Sequence, residues 1–311
     1  MVDILHSHLK LGINMSIYDI HLLEIEWIKK IQEIRAPWID SIMYKLNLLD
    51  TFPFYALFLI CLCFAYKREF GLKLLFLFFI TSYLNQNLKE LIAEPRPCQM
   101  DVGVCLIKVK SYGFPSGAAQ SFTVLLGYFC YRMRTLRLYL FSVFTLILIG
   151  FSRIYLGLHF FTDILGGWFF GVMTLFLFIR FQPSVSCYLT TKPRLFLITV
   201  AGSVSLLLAI FALNKNSTMV IYCALGVMVG LIYSNELKDP TLISQRILRP
   251  LLVLAGCGVL LSAAVFIPDK GSIFLSAFSK TLQFLTGVWI SWWVNPIIST
   301  IEKKILKKQI N

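Results

Sequence analysis

The chain predicts an all-α fold, a polytopic bundle of transmembrane helices, and three observations carry that prediction. Of its 311 residues, 58% are hydrophobic and only 14% charged, whereas a soluble domain carries about a quarter charged residues. After Asp50, apolar runs recur along nearly the whole length, many within the range of about 17–25 residues that crosses a bilayer as a helix. Such runs are too long for barrel strands, and a backbone without internal hydrogen bonds is too costly in hydrocarbon. A soluble globular enzyme is excluded.

Taken in order, the first residues, MVDILHSHLKLGIN, lack a basic stretch followed by an apolar one. No cleaved signal peptide is therefore expected, and the first spans themselves direct insertion. Residues 17–35 place Ile17, Ile20, Leu23, Trp27 and Ile31 near one helical face, with Glu24, Lys30 and Glu33 elsewhere. That is an amphipathic helix too charged to span, so it is expected along the membrane surface. Ala36 and Pro37 interrupt it and a second short piece ends near Asp50, making 1–50 an N-terminal interfacial segment. Five spans follow at about 51–66, 70–92, 115–131, 136–152 and 157–180, then four near 194–213, 218–235, 248–267 and 274–299. The division expected is a core over 51–182 and an additional four-span C-terminal domain over 194–300, nine spans in all.

The net charge of +13 comes from 29 Lys and Arg against 16 Asp and Glu. No basic run is interleaved with aromatics on a polar segment, so nucleic acid is not an expected partner, and the charges read as topology signals and lipid-headgroup contacts. Lys67, Arg68 and Lys73, then Arg132, Arg134 and Arg137, then Arg180, Lys192 and Arg194, all fall on one side of a nine-span bundle. Lys238, Arg246, Arg249, Lys303, Lys304, Lys307 and Lys308 join them. The positive-inside rule makes that side cytoplasmic. Of the eight cysteines most read as small core residues, but Cys98 and Cys105 share the non-cytoplasmic 93–114 gap. There a disulfide and two free thiols are equally compatible with the sequence.

Three polar clusters fall near that same membrane face. They are KELIAEPRP from Lys89 to Pro97, PSGA from Pro115 to Ala118, and SRIYLGLHFFTD from Ser152 to Asp163. Cations at the ends of spans are costly and face polar cavities, so Lys89, Arg96 and Arg153 converging on one face look like a phosphate site. Pro115, Ser116 and Gly117 entering a helix aim free backbone N–H groups and the helix dipole outward, an anion cradle. His159 and Asp163 stand four apart. On one helix the carboxylate would hold one imidazole nitrogen and leave the other to attack.

These residues resemble the type 2 phosphatidic acid phosphatases, the lipid phosphate phosphatases related to vanadium-dependent haloperoxidases. The family's signature is Lys, six residues, Arg-Pro; then Pro-Ser-Gly-His; then Ser-Arg, five residues, His, three residues, Asp. Lys89 with Arg96-Pro97 matches the first part and Ser152-Arg153 with His159 and Asp163 the third, both at full spacing. The second matches at Pro115-Ser116-Gly117 and departs at Ala118. The resemblance covers roughly residues 50–182, not 194–300. It implies a phosphohistidine mechanism without metal or cofactor, in which His159 attacks phosphorus and Asp163 orients it. Lys89, Arg96 and Arg153 would neutralise the phosphate oxygens, and Ser116 and the Gly117 amide would complete the cradle.

In the family, the histidine at the position of Ala118 protonates the leaving oxygen, which alanine cannot do. Three readings stay open. The alanine was introduced to trap substrate, since losing a general acid costs about 10²–10⁴ in rate; or it is native to an enzyme acting on diphosphates, whose leaving group needs less protonation; or the protein binds phospholipid headgroups without hydrolysing them. Position 118 is expected beside a polar cavity with room for a histidine. No other chemistry competes, since His6, His8 and His21 are N-terminal and no zinc-binding spacing occurs. A transporter would explain the spans but needs intramembrane charges on several helices. After residue 194 these are almost lacking, Lys280 being the main exception. The GVMVG spacing of Gly226 and Gly230 permits close helix contact, within the chain or in a homo-oligomer through the C-terminal spans.

The reading is a membrane lipid phosphatase or diphosphatase whose partners are its lipid phosphate substrate and membrane lipids. Its expected location is a bacterial inner membrane with the site facing the periplasm. Single cysteines introduced at Val102 and Ser111 should react with an impermeant thiol reagent in intact cells, and cysteines at Thr135 and Ser244 should not. The reverse labelling pattern would put the site in the cytosol.

Overall fold

Why each segment is a helix is visible at its ends in the computed structural model, which describes residues 16–234, 237–266 and 273–310. Helix α1 (Ile17–Gln32) opens on a capping box: the Ser16 hydroxyl accepts from the Asp19 N–H and the Asp19 carboxylate accepts from the Ser16 N–H. Helix α2 (Pro37–Leu48) starts at a proline, whose missing N–H costs nothing in a first turn. Helix α3 (Phe52–Cys61) runs on through a π-helical stretch to Tyr66. Helix α4 (Arg68–Ile92) stops at Ala93, held left-handed at φ 56°. Then come α5 (Gly117–Met133), α6 (Leu136–Tyr155) and α7 (Phe161–Thr190). The chain continues through α8 (Arg194–Ile210), α9 (Lys215–Tyr233) and α10 (Ile243–Phe266). Helix α11 (Ile273–Val288) passes through a second π-helical stretch into α12 (Val294–Ile310). Among the described residues there is no strand.

Each predicted apolar run is helical, yet among the described residues five helices are long and apolar enough to cross a membrane, or six if α2 and α3, bent by 59° at their junction, form one broken span. Nine spans are therefore more than length and composition support. The shortfall has a physical reason. Helix α4 ends in Asn85, Gln86, Asn87 and Lys89, and α5 is only 17 residues long and starts in a polar turn. Both lose hydropathy where they carry the candidate site. Phe144 and Ile147 on α6, and Phe169, Val172 and Phe176 on α7, are exposed apolar residues turned away from the bundle. With this surface the chain is an integral membrane protein. Residues 1–15, with His6 and His8, and residues 267–272 lie outside the described residues.

The core lies where α3, α4 and α5 meet, with Tyr55, Leu59, Phe64, Leu74, Leu77, Phe122 and Val124 all buried. Helix α7 approaches α5 so closely that a Cβ on Gly167 would sit 2.6 Å from the Ser116 carbonyl oxygen and 2.8 Å from the Ala119 Cβ. The C-terminal helices dock through α9 on α4 and α10 on α3. Gly226 and Gly230 are spent inside the chain, facing the Phe284 carbonyl and Ser291. The buried charge of this region is Arg249 rather than Lys280. Arg249 donates to both Glu302 oxygens at 2.7 and 3.1 Å and to the Lys238 carbonyl at 2.7 Å. The sequence placed Arg249 in a solvated gap because its partner is 53 positions away.

Helix α1 also differs from expectation. Ile17 and Trp27 remain exposed, and the stripe turned to the protein is His21, Glu24, Ile25 and Ile28. Glu24, assigned to the polar side, is buried.

Replacing Gly167 with Val should force α5 and α7 apart and cost about 1–3 kcal/mol, read as a lowered unfolding temperature in detergent. Gly202, where an added Cβ would meet nothing within 4 Å, should accept Ala within about 0.5 kcal/mol.

Candidate active site

Two loops on one side of the bundle build the site. The first leaves α4 after Ile92, one turn beyond Lys89, makes a single turn at Pro97–Met100, and returns through Gly113 and Pro115 into α5. Cys98 and Cys105 are joined in it as a disulfide, with Cα atoms 4.7 Å apart. The second leaves α6 after Ser152-Arg153 and turns at Gly157. There φ is +68° and a Cβ would lie 2.1 Å from the Val104 carbonyl oxygen, so glycine alone fits. His159 follows, and α7 begins two residues later.

The two loops bring the third motif onto the first. His159 Nδ1 lies 3.0 Å from Asp163 Oδ2, and its Nε2 lies 3.2 Å from Arg96 Nη1. The pair does not share a helix: His159 precedes the α7 N-terminus and Asp163 sits inside its first turn. The same Oδ2 also accepts the Phe160 N–H at 3.0 Å, so one carboxylate caps the helix and holds the imidazole. If Nδ1 carries the proton given to Asp163, Nε2 presents a lone pair toward Arg96. Burial, then the charges of Arg96, Lys89 and Arg153, hold the His159 imidazole well below its usual pKa. At neutral pH it is an uncharged imidazole.

All three predicted cations are buried. Lys89 Nζ donates to the Tyr112 and Gly113 carbonyls at 2.9 and 2.8 Å. Arg96 donates to the Ser111 and Leu158 carbonyls, each at 2.6 Å, and to the Ser111 hydroxyl at 3.0 Å. Burial brings Arg96 down to about 10, which leaves it charged. Arg153 donates to Asn47 Oδ1 and lies 3.8 Å from Asp50 Oδ2. The arrangement is a buried cluster of positive charge with the His159 imidazole at one edge.

The second motif is used differently from its expectation. The Ser116 hydroxyl is the N-cap of α5, accepting from the Ala119 N–H at 3.4 Å, and its own N–H donates to the Asp163 carbonyl at 3.0 Å. Gly117 stands against Asn85, whose Oδ1 would lie 3.1 Å from a Cβ there. Ala118 is 0% exposed and belongs to the apolar cluster that holds Tyr55 and Phe122. The space expected for a histidine at 118 is thus filled by protein, because α3 packs onto the first turns of α5.

The residues the sequence did not single out come from the N-terminal segment. Glu24 accepts the Thr162 N–H at 2.8 Å and the Thr162 hydroxyl at 3.0 Å, and burial pushes its carboxyl upward. His21 stacks on Phe160 at 4.2 Å, and its Nε2 is 3.7 Å from Glu94 in the first motif's loop. Gln32 donates to the Val104 and Tyr155 carbonyls. Asn47 and Asp50 face Arg153. The buried stripe at spacing i, i+3, i+4, i+7 was the available signal, outweighed by the charge of Glu24.

Comparison with known proteins decides the family. The sequence model of the PAP2 superfamily matches residues 70–186. Phosphatidylglycerophosphatase B of Bacillus subtilis is 31% identical over 165 residues, 49% of this chain and 79% of that protein. This chain belongs to the PAP2 superfamily. Lipid phosphate phosphatase delta of Arabidopsis thaliana is 27% identical over 198 residues, 58% of this chain and 48% of the relative. Undecaprenyl-diphosphatase of Sulfolobus acidocaldarius is 28% identical over 126 residues, 40% of this chain and 60% of the relative. A crystal structure of a transmembrane PAP2 type phosphatidylglycerolphosphate phosphatase from Bacillus subtilis superposes with a TM-score of 0.47 at 25% identity, over 59% of this chain and 96% of that one. All three motifs of this PAP2 chain fall inside the matched span, and α8–α12 lie beyond it.

Because Glu24 caps the helix that follows His159, Glu24→Ala should cost about 0.5–2 kcal/mol in thermal unfolding and lower kcat/KM for phosphate release. Glu26→Ala, at an exposed ion pair with Lys29, should change neither.

Proposed function

We propose that this protein is a membrane lipid phosphatase or diphosphatase acting without metal through a phosphohistidine. One observation carries the reading: His159, held by Asp163 at Nδ1, turns Nε2 into a pocket made by Arg96, with Lys89 and Arg153 behind it. A nucleophile of this kind needs its lone pair free, its tautomer fixed and positive charge where the phosphoryl oxygens gather. Nε2 forms a bond to phosphorus as the ester or anhydride oxygen leaves, and water then displaces His159 to release phosphate.

The substrate class is an amphiphile whose phosphate sits at headgroup depth, because the cations stand at helix ends beside lipid-facing surfaces. The names of the relatives support this class. The placement of Lys and Arg on the opposite side supports a site on the non-cytoplasmic face. The Cys98–Cys105 disulfide supports an oxidising compartment such as a periplasm. Residues 1–50 are the N-terminal interfacial segment, in which α1 covers the site; 51–182 is the catalytic core, and 194–300 an added domain with spans available for a homo-oligomer. The nine-span arrangement follows if α3, α4, α5 and α8 each cross the membrane beside the five long apolar helices, α4 and α5 with their polar ends at its surface.

A phosphate-release screen over phosphatidylglycerophosphate, phosphatidic acid and undecaprenyl diphosphate tests the reading. His159→Ala should abolish release and remove the acid-labile phosphoenzyme trapped from a radiolabelled substrate. Full activity without His159 would overturn the assignment.

A further inference from the structure

Ala118 leaves this site without the side chain that would protonate a leaving group, yet a titratable group stands close by. Asp50 lies in the turn between α2 and α3. Its Oδ1 accepts the Tyr55 hydroxyl at 2.9 Å, and its Oδ2 is 3.8 Å from Arg153 Nη1. Tyr55 also contacts the hydroxyl of Ser121, one helical turn beyond Ala118 and on the same face of α5. Tyr55 and Ala118 belong to one buried cluster. Asp50 is thereby linked through Tyr55 to Ser121 on α5, the helix whose first turn holds Ala118.

Asp50 also sits within the charge cluster. It feels Arg153, Lys89 and Arg96 together, and its side chain is still 26% exposed, so a bound molecule can reach it. Holding Arg153 in place does not require it, since Asn47 Oδ1 already accepts from that guanidinium and the Leu46 carbonyl lies 3.5 Å away. At 3.8 Å, Oδ2 is beyond hydrogen-bond reach of Arg153 and is the oxygen able to carry a proton. Burial raises the Asp50 carboxyl above the usual carboxylate range. Arg96 touches His159 while Arg153 faces Asp50. A phosphoryl group bound between the two guanidinium groups would meet His159 beside Arg96 and this carboxyl beside Arg153.

We propose that Asp50 is the proton donor to the leaving group, taking the place of the side chain that Ala118 lacks; the proposal rests on the hydrolase reading above. As the His159 Nε2–phosphorus bond forms and the phosphorus–oxygen bond to the lipid breaks, the Oδ2 proton passes to the departing oxygen. Asp50, now a carboxylate, takes a proton from the water that attacks phosphorus, the phosphorus–nitrogen bond breaks, and phosphate leaves with Asp50 protonated again.

The test is the dependence on leaving group, measured on the full chain in detergent micelles. A lipid alkyl monophosphate must receive a proton as it departs; 4-nitrophenyl phosphate releases a stable anion. Asp50→Asn should slow the alkyl substrate by about 10²-fold or more and the aryl substrate by less than about 10-fold, with inhibition by inorganic phosphate retained. Asp50→Glu, which keeps a carboxyl, should restore most of the alkyl rate and serves as the readout if the Asn variant does not fold. Equal slowing of both substrates, or no slowing of either, overturns the proposal and leaves the hydrolase reading standing. A wild-type protein that releases phosphate from neither substrate and forms no phosphoenzyme overturns the hydrolase reading, and the donor role with it.

Discussion

Lys89, Arg96 and Arg153 are buried side by side at the edge of a membrane bundle, where they repel one another and have lost most of their water. An unpaired buried charge costs several kcal/mol, and much of the surrounding architecture can be traced to meeting that cost. The loop between α4 and α5 folds back so that the carbonyls of Ser111, Tyr112 and Gly113 point at Lys89 and Arg96. The turn before α7 contributes the Leu158 carbonyl. Asn47 and Asp50 cross from the N-terminal segment to Arg153. Asp163, through His159, completes the set. The loops are shaped by the need to solvate cations with backbone.

The helices supply the rigidity this requires. Gly167 lets α7 lie against the first turn of α5, so that Asp163 and Ser116 meet through a backbone hydrogen bond of 3.0 Å. Helix α1 then spans both loops, fastened by Glu24 to Thr162 and by Gln32 to Val104 and Tyr155. Its outer face keeps Ile17 and Trp27 exposed, while its inner face packs Ile25 and Ile28 on Val104 and Phe160 of the two loops.

What the sequence made legible follows from what each signal measures. The apolar runs report burial in lipid or protein, so the helices could be located, and fixed spacing reports a shared turn or loop, so the first and third motifs could be assembled. Composition does not report where polar residues terminate a span, and for that reason α4 and α5 were credited with more apolar character than they have. Long-range partners leave no local trace. Glu24 with Thr162, Asp50 with Arg153, and Arg249 with Glu302 are each separated by 50 or more positions. Ala118 was read as facing a cavity because its helix turn is polar in sequence, whereas α3 closes over it in three dimensions.

The carbonyl oxygens around the cations have a bearing on selectivity. Each cation is already provided with hydrogen-bond acceptors, so an arriving phosphate gains only the difference between its own oxygens and the carbonyls it displaces. A phosphodiester, the form in which phosphate occurs in most membrane lipids, brings one negative charge and two blocked oxygens to that exchange. A terminal phosphate brings more charge and three open oxygens. Under the proposed function, a site immersed in diester headgroups would be kept from filling with them by its own backbone, and would admit the less common lipid whose phosphate stands at the end of the molecule.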